Sequence, residues 1–212
     1  LPIYYLNRYQ KDFRLMQEKH KKPVPEKSGF CSFVYSNDRA SEVRERFCEQ
    51  LSEYKPVSSG GRYRNNIGGP VADKLAFEQG HKFSFSFENS SYPGYCTEKL
   101  VQSFAAQTVP IYWGDPAVAE TFNEDAFINC NKYTSWDEVL ETIKHIDSNP
   151  ELYNRMLATP ALKHPDKDSI EAKLKQLTEF ICHIIDQPQE NAQRYNRVYW
   201  GRRYVKRMRQ HA

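Results

Sequence analysis

From Gly29 onward, short apolar runs alternate with stretches in which apolar residues recur at helical spacing. Val43, Phe47 and Leu51 form one such helical stripe, which follows the first apolar run. Strands that are separated by amphipathic helices pair in parallel, so this pattern predicts an α/β fold with a parallel sheet. The predicted strands are Phe30 to Tyr35, a short one at Val57, Phe83 to Phe87, Val109 to Tyr112, and Phe127 to Asn129.

Two later helices have recognisable limits. Ser135 and Glu138 form a capping box that predicts a helix through about Ile146. A second helix is predicted from about Ser169 to Asp186, ahead of Pro188.

Phe83 to Phe87 alternates aromatic and serine residues, which predicts a half-buried strand. We assign no function to its aromatic rings.

At 212 residues the chain is long enough for one ordinary domain and too short for two doubly wound domains. Residues 1–28 are polar and lysine-rich, with prolines near their end, and are predicted to be a linker or N-terminal extension. Residues 29–188 are the predicted domain. Residues 189–212 form a separate tail in which basic and aromatic residues cluster.

The cysteines, the apolar runs and the first residues of the sequence together indicate the cellular location of the chain. The five cysteines are odd in number, widely spaced and without a C-x-x-C motif, so neither a disulfide framework nor a zinc site is indicated. No apolar run approaches the roughly 20 residues that cross a bilayer. The first residues do not resemble a signal peptide, and we expect the chain to be a segment of a longer protein. A reducing, cytoplasmic location is expected.

The loops after the first and third strands hold the candidate functional residues. In an open parallel sheet, ligands bind beyond the carboxyl ends of the strands, where helix N-termini favour anions. Arg44 and Lys99 each fall in the first turn of the helix that follows. A cation near the positive end of a helix loses about 0.3–1 kcal/mol, so local stability does not favour either residue.

A bound diphosphate would reverse this electrostatic penalty. Arg44 could bind it in bidentate fashion, and Lys99 could act as a mobile point charge. The alternative is that each cation is an ordinary solvated surface charge, although the matched pair favours an anion site. Asn89, Tyr95 and Glu98 add an amide, a phenol and a carboxylate suited to sugar and ribose hydroxyls, or serve only as turn and first-turn residues.

A sequence motif in the second of these loops resembles a known signature. Phe87 to Ser90, followed by Tyr95 to Lys99, is similar to the signature of the α1,3/1,4-fucosyltransferase family. Supporting motifs are Phe33 to Asn37 with Arg44 downstream, the Gly60 to Asn65 loop, and Thr108 to Gly114. The resemblance covers roughly Gly29 to Pro160. One departure is Pro93-Gly94, where animal members typically have an Asp before the Tyr.

The resemblance implies a Rossmann-like parallel sheet with helices on both faces, as one half of a GT-B glycosyltransferase. The implied reaction is inverting transfer of fucose from GDP-fucose to a glycan containing GlcNAc or Glc, with the acceptor held by an N-terminal domain absent from this chain. The implied catalytic residues are Arg44, Glu98 and Lys99. The donor would contact Ser36, Asn37, Arg44, Asn89, Tyr95, Glu98 and Lys99.

The same resemblance implies that no metal or other cofactor is required, since fixed cations can stabilise the departing GDP.

Two further motifs are given structural roles. Asp166-Lys167-Asp168 is the Asp-x-Asp of the chain and is predicted to cap the following helix. The Gly60 to Gly69 loop lacks the order of a P-loop or a dinucleotide fingerprint. In this loop a structural turn is the predicted role of Arg64, with contact to the donor as the alternative.

The basic aromatic tail leaves several interpretations open. It is compatible with peripheral contact to an anionic membrane face, with a nucleic-acid patch, or with a terminal helix packed on the protein. Two rival functions follow for the whole chain. One is a non-catalytic nucleotide-sugar-binding or interaction module, and the other is a basic nucleic-acid-binding protein, which rests on the tail alone.

Overall fold

The computed structural model describes residues 2–38 and 40–188. Residues up to Ile170 form one compact unit, and residues from Glu171 form a second. The strands are β1 (Gly29–Phe33), β2 (Val57–Ser59), β3 (His81–Phe87), β4 (Val109–Trp113) and β5 (Ile128–Asn129). The helices are α1 (Gln10–Glu18), α2 (Glu42–Tyr54), α3 (Lys74–Gln79), α4 (Glu98–Ala105), α5 (Trp136–Ser148), α6 (Pro150–Ala158), α7 (Pro165–Asp168) and α8 (Ile170–Ile185).

The five strands form one sheet in the order β2-β1-β3-β4-β5, and every neighbouring pair is parallel. The chain leaves β1 toward β2 on one side and then continues with β3 on the other side of β1. This reversal makes the β1–β3 junction a topological switch point, where open α/β sheets place their ligands.

Apolar side chains cover both faces of the sheet. Phe33, Phe85 and Ile111 belong to one buried cluster, together with Phe47 of α2 and Ile143 of α5. The opposite cluster joins α1, α4 and β4 and contains Phe13, Leu100, Phe104 and Tyr112. Helices on both faces of a parallel sheet confirm the predicted Rossmann-like fold.

The alternating strand β3 is buried on both faces, so the prediction of a half-buried strand is wrong. Ser84 and Ser86 have no exposed surface. Their hydroxyls bond to Ser103 of α4, at 3.0 Å from Ser84 Oγ and 2.7 Å from Ser86 Oγ. Buried polar groups are tolerated when they are hydrogen-bonded, and this mutual bonding lets serine occupy an interior face.

The linker prediction is wrong for residues 3–21. Two short 3-10 turns, Ile3–Tyr5 and Asn7–Tyr9, precede α1, and a third, Lys19–Lys21, follows it. Tyr4, Tyr5, Phe13 and Met16 are buried in the same cluster as α4. Burial of these four side chains outweighs the polar composition of the segment, because each large apolar side chain contributes about 1.5–3 kcal/mol when buried.

The two later helices match the prediction closely. Ser135 Oγ accepts from the Glu138 N–H at 3.3 Å, and the Glu138 carboxylate accepts from the Thr134 N–H at 3.0 Å.

In the second unit α8 presents several exposed apolar side chains, among them Leu177, Phe180 and Ile184. No helix among residues 2–38 and 40–188 is long and apolar enough to span a membrane. The predicted tail, residues 189–212, lies outside the described residues.

Candidate donor-binding site

The two loops selected from the sequence meet at the switch point. Parallel pairing of β1 with β3, with Ser32 opposite Ser84, brings the carboxyl ends of the two strands side by side. The loop after β1 leads into α2, and the loop after β3 leads into α4. The Ser41 N–H donates to the Asn89 carbonyl at 3.0 Å, which joins the two loops directly. The N-termini of α2 and α4 therefore lie at one edge of the sheet.

Arg44 lies in the first turn of α2, as predicted, but its side chain is fully buried. Its guanidinium lies 4.2 Å from the centroid of the Tyr35 ring and 5.6 Å from that of Tyr63. Nη2 donates to the Asn37 carbonyl at 2.5 Å, whereas Nε and Nη1 have no hydrogen-bond partner among the described residues. Unpaired donors on a buried cation are costly, so these two nitrogens are the candidate contacts for an anion at this site.

The ring of Tyr35 packs against the Arg44 guanidinium. The sequence did not identify Tyr35 as part of the site. Its hydroxyl accepts from the Phe87 N–H at 2.8 Å and donates to the Phe87 carbonyl at 3.1 Å. Burial raises the pKa of Tyr35 well above its ordinary value, although the Arg44 charge opposes the shift. The ring is therefore a neutral platform that ties the end of β3 to the guanidinium.

Lys99 is the second residue of α4, and its ammonium is held in place rather than mobile. Its Nζ donates to Glu88 Oε2 and to Thr97 Oγ1, both at 2.8 Å, and lies 3.6 Å from Glu98 Oε1. Burial alone would lower the pKa of Lys99, but the Glu88 and Glu98 carboxylates raise it above its ordinary value. The expectation of a mobile point charge is corrected by this network, since an ion pair in a shielded site restricts the side chain.

The loop between β3 and α4 is anchored to the loop after β4. Ser91 Oγ donates to the Gly114 carbonyl at 2.7 Å, and the Gly94 N–H donates to Asp115 Oδ1 at 2.9 Å. Gly94 has a φ of +81°, a conformation that glycine adopts without strain. The Pro93-Gly94 departure from the family pattern is thus accommodated by a turn pinned to Asp115.

The remaining candidate residues lie in the same two loops and at the start of α4. Asn89 and Tyr95 are half-buried in the loop before α4, and Ser36 and Asn37 are exposed in the loop after β1. Partial burial alone would raise the pKa of Glu98, but the Lys99 charge and a backbone hydrogen bond lower it below its ordinary value. Glu98 is therefore ionised at neutral pH.

Among the described residues, cavities also lie elsewhere on the sheet, and two of them are well defined. One of about 390 Å³ lies beside α2 and β2, and its lining includes Glu49 and Arg64. The other, of about 460 Å³, lies between β5 and the helices α5 and α6. Arg64 has a φ of +52° and forms an ion pair with Glu49 at 2.5 Å, which agrees with the predicted structural turn.

The described residues contain no cluster of three or more His, Cys, Asp or Glu side chains that could hold a metal ion. Asp166 and Asp168 lie within the short helix α7, whose N-cap is His164, and this helix ends two residues before α8 begins. Asp168 ends that helix, and its carbonyl accepts from the Tyr5 hydroxyl at 3.0 Å. The Asp-x-Asp sequence thus packs against the N-terminal segment.

The fold and this site define a Rossmann-like domain with two cations, Arg44 and Lys99, at its switch point. Residues 24–206 match the family model for the C-terminal part of glycosyltransferase family 10, the fucosyltransferases. The chain therefore belongs to the glycosyltransferase family 10 fucosyltransferases, and the resemblance inferred from its motifs is confirmed.

Individual relatives agree. An α-(1,3)-fucosyltransferase of Helicobacter pylori is 40% identical over 63% of this chain and 28% of its own length. A 4-galactosyl-N-acetylglucosaminide 3-α-L-fucosyltransferase 9 of Homo sapiens is 33% identical over 61% of this chain and 36% of its own. The chain thus spans only about a third of these curated relatives.

Solved structures give the same result for the fold. A crystal structure of an α1,3-fucosyltransferase with GDP has a TM-score of 0.76 and 29% identity, covering 89% of this chain and 65% of its own. Another, with GDP-fucose, has a TM-score of 0.70 and 29% identity, covering 85% of this chain and 54% of its own. The predicted Rossmann-like half of a GT-B fold is confirmed, while the roles of individual residues stay predictions.

Proposed function

We propose that this chain is the donor-binding part of an inverting α1,3-fucosyltransferase that transfers fucose from GDP-fucose to a glycan containing GlcNAc or Glc. The observation that carries the proposal is the pair of first-turn cations, Arg44 and Lys99, at the switch point of the sheet. Relatives whose structures hold GDP or GDP-fucose support the choice of ligand.

Arg44 binds the diphosphate through Nε or Nη1, the two nitrogens without a hydrogen-bond partner among the described residues, together with Nη2. Nε and Nη1 lie on different edges of the guanidinium, and Nη2 completes either edge, so that one edge can match two phosphate oxygens once Nη2 leaves the Asn37 carbonyl. Because Arg44 is fully buried, donor binding requires the loop containing Asn37 to move aside. The phosphate then replaces the loop as the cover of the guanidinium.

Lys99 binds the same group without leaving its carboxylate. A lysine ammonium has three N–H donors, and Glu88 and Thr97 accept from two of them. The third donor is available to a phosphate oxygen. Asn89 and Tyr95 contact the fucosyl-phosphate end, Glu98 accepts from ribose or fucose hydroxyls, and Ser36 and Asn37 lie against the nucleotide.

The chemical step follows from these positions. When the glycosidic bond breaks, negative charge develops on GDP, and fixed cations stabilise it in a site shielded from water. Arg44 and Lys99 supply that charge, so we propose transfer that needs no metal. The acceptor and its general base belong to a further part of the protein, because inversion requires attack on the face of the sugar opposite GDP.

Calorimetric titration with GDP in the presence of EDTA tests this assignment. Arg44→Ala and Lys99→Ala should each weaken GDP binding by about 1.5–3 kcal/mol, the range for hydrogen bonds to charged groups. Arg46→Ala is the matched control, because Arg46 lies on the same helix, is exposed and pairs with Glu42. Circular dichroism must show that all three variants fold. Undiminished affinity in both site variants would refute the diphosphate assignment.

A further inference from the structure

We propose that Glu88 is a positioning residue that holds Lys99 and the N-terminus of α4 in the geometry required by the diphosphate. This inference rests on the proposed function. Glu88 does not contact the donor in this account, and it acts only through Lys99 and Thr97.

Every hydrogen bond recorded for the Glu88 carboxylate is directed at the start of α4. The side chain has no exposed surface. Oε1 accepts from the Thr97 N–H at 2.7 Å, and Oε2 accepts from Thr97 Oγ1 at 2.7 Å and from Lys99 Nζ at 2.8 Å. A carboxylate in this position fixes the backbone and hydroxyl of Thr97 and the ammonium of Lys99 at once.

The surroundings of Glu88 keep its side chain in a single position. Its N–H donates to the Trp113 carbonyl at 2.8 Å, which fixes the backbone at the end of β3. A Cβ at Gly114 would lie 2.5 Å from Glu88 Cγ and 2.9 Å from the Tyr112 hydroxyl. Glycine at this position therefore leaves the space that the Glu88 side chain fills.

The negative charge of Glu88 is the property that this role needs. The Thr97 N–H and the Lys99 ammonium can only donate to the Glu88 carboxylate. The Thr97 hydroxyl also donates to it, but this group can rotate and accept instead. In Glu88→Gln the amide oxygen can still accept from Thr97, but the amide nitrogen then faces the ammonium and cannot accept from it. Lys99 would lose its partner while the volume of the side chain stays the same.

The test is a double-mutant cycle for GDP binding by the 212-residue chain. Glu88→Gln should weaken binding about tenfold in the wild-type background, as expected for a lost hydrogen bond to a charged group. In the Lys99→Gln background the same change should have an effect of less than about twofold, because the contact that the amide nitrogen removes is already gone and the amide oxygen still accepts from Thr97. Glu141→Gln is the control, since Glu141 forms an exposed pair with Lys144 on α5.

A second readout does not depend on GDP. Reductive ¹³C-methylation of lysines followed by NMR titration should show that Glu88→Gln lowers the pKa of Lys99, whereas Glu141→Gln leaves it unchanged. If Glu88→Gln does not fold, Glu88→Asp keeps the charge but withdraws it by one methylene, and should weaken GDP binding while retaining the fold.

The outcomes separate the two proposals. Failure of the wild-type chain to bind GDP overturns the proposed function and this inference with it. GDP binding that is unchanged or tighter in Glu88→Gln, or that falls equally in both backgrounds, overturns the positioning role alone.

Discussion

Gly61 illustrates how a residue outside the candidate site determines its geometry. The backbone of Gly61 packs on that of Tyr35, whose ring supports Arg44, and a Cβ at Gly61 would overlap the Tyr35 carbonyl oxygen. The Tyr63 N–H donates to the same carbonyl at 3.0 Å. The glycine-rich loop thus serves the site by holding Tyr35, in keeping with its lack of a phosphate-binding motif.

Gly61→Ala should therefore destabilise the protein by about 3 kcal/mol, because a rigid backbone contact has no flexible side chain that can yield. Gly80→Ala is the matched control, since a Cβ there would meet no atom closer than 3.5 Å. Urea unfolding followed by circular dichroism measures both. Equal midpoints for the two variants would show that the loop can shift without cost.

Among single residues, the sequence indicated Arg44 and Lys99 because cations at helix N-termini oppose the helix dipole. It gave no indication of Glu88 as the partner of Lys99. The two residues are separated along the chain by a loop whose path depends on Gly94 and Asp115. Contacts formed only after such a loop closes leave no periodic pattern in the sequence.

Helix α6 was not predicted, although Asn149-Pro150 is a helix-start signal and Asn149 Oδ1 accepts from the Leu152 N–H at 3.0 Å. Its last turn is capped by Lys19, whose Nζ donates to the Leu157 carbonyl at 2.8 Å. Lys19 lies 5.4 Å from the centroid of the Phe104 ring and is 2% exposed. The N-terminal segment thereby holds the end of α6 as well as packing on α4.

Burial lowers the pKa of Lys19 to about 8 from an ordinary value of 10.5. Below pH 8 both the folded and unfolded states bind the proton, and above 10.5 neither does. Between these values the unfolded state binds more protons, so the contribution of Lys19 to stability rises with pH, by up to about 1.4 kcal/mol per unit.

Lys19→Met removes this contribution. The difference in unfolding free energy between wild type and Lys19→Met should increase in favour of wild type from pH 8 to pH 10. Taking the difference cancels the other titrating groups, including Lys27, whose pKa burial also lowers to about 8. Urea titrations at several pH values give the slope, and a difference independent of pH would contradict the account of Lys19.

Periodicity located the five strands to within about two residues, because the apolar runs of this parallel sheet lie between segments with helical or turn patterns. The helical segment before Gly29 was not predicted, because its composition is lysine-rich and only four of its large side chains are buried. Phe13 and Met16, three residues apart on α1, were the available signal. Short helices with few apolar residues depend on tertiary packing, and composition alone does not reveal that packing.

At the scale of the whole molecule, strand order places the site. The strand order reverses between β1 and β3, and the two loops beyond these strands, with the first turns of α2 and α4, carry all seven candidate residues. The chain spans 54–65% of the fucosyltransferase structures that it matches. The division of labour that we propose, with donor binding here and acceptor binding elsewhere in the protein, is consistent with this partial coverage.

Calorimetric titration of this chain with GDP-fucose, GDP-mannose and UDP-galactose tests whether the chain is a specific GDP-fucose-binding domain. We expect saturable binding of GDP-fucose at least about 100-fold tighter than that of UDP-galactose, since mismatched polar groups in a specific site lose their partners. GDP-mannose should lie between them, because it shares the base and diphosphate but not the sugar. Equal affinity for all three donors, or no saturable binding of GDP-fucose, would contradict the account.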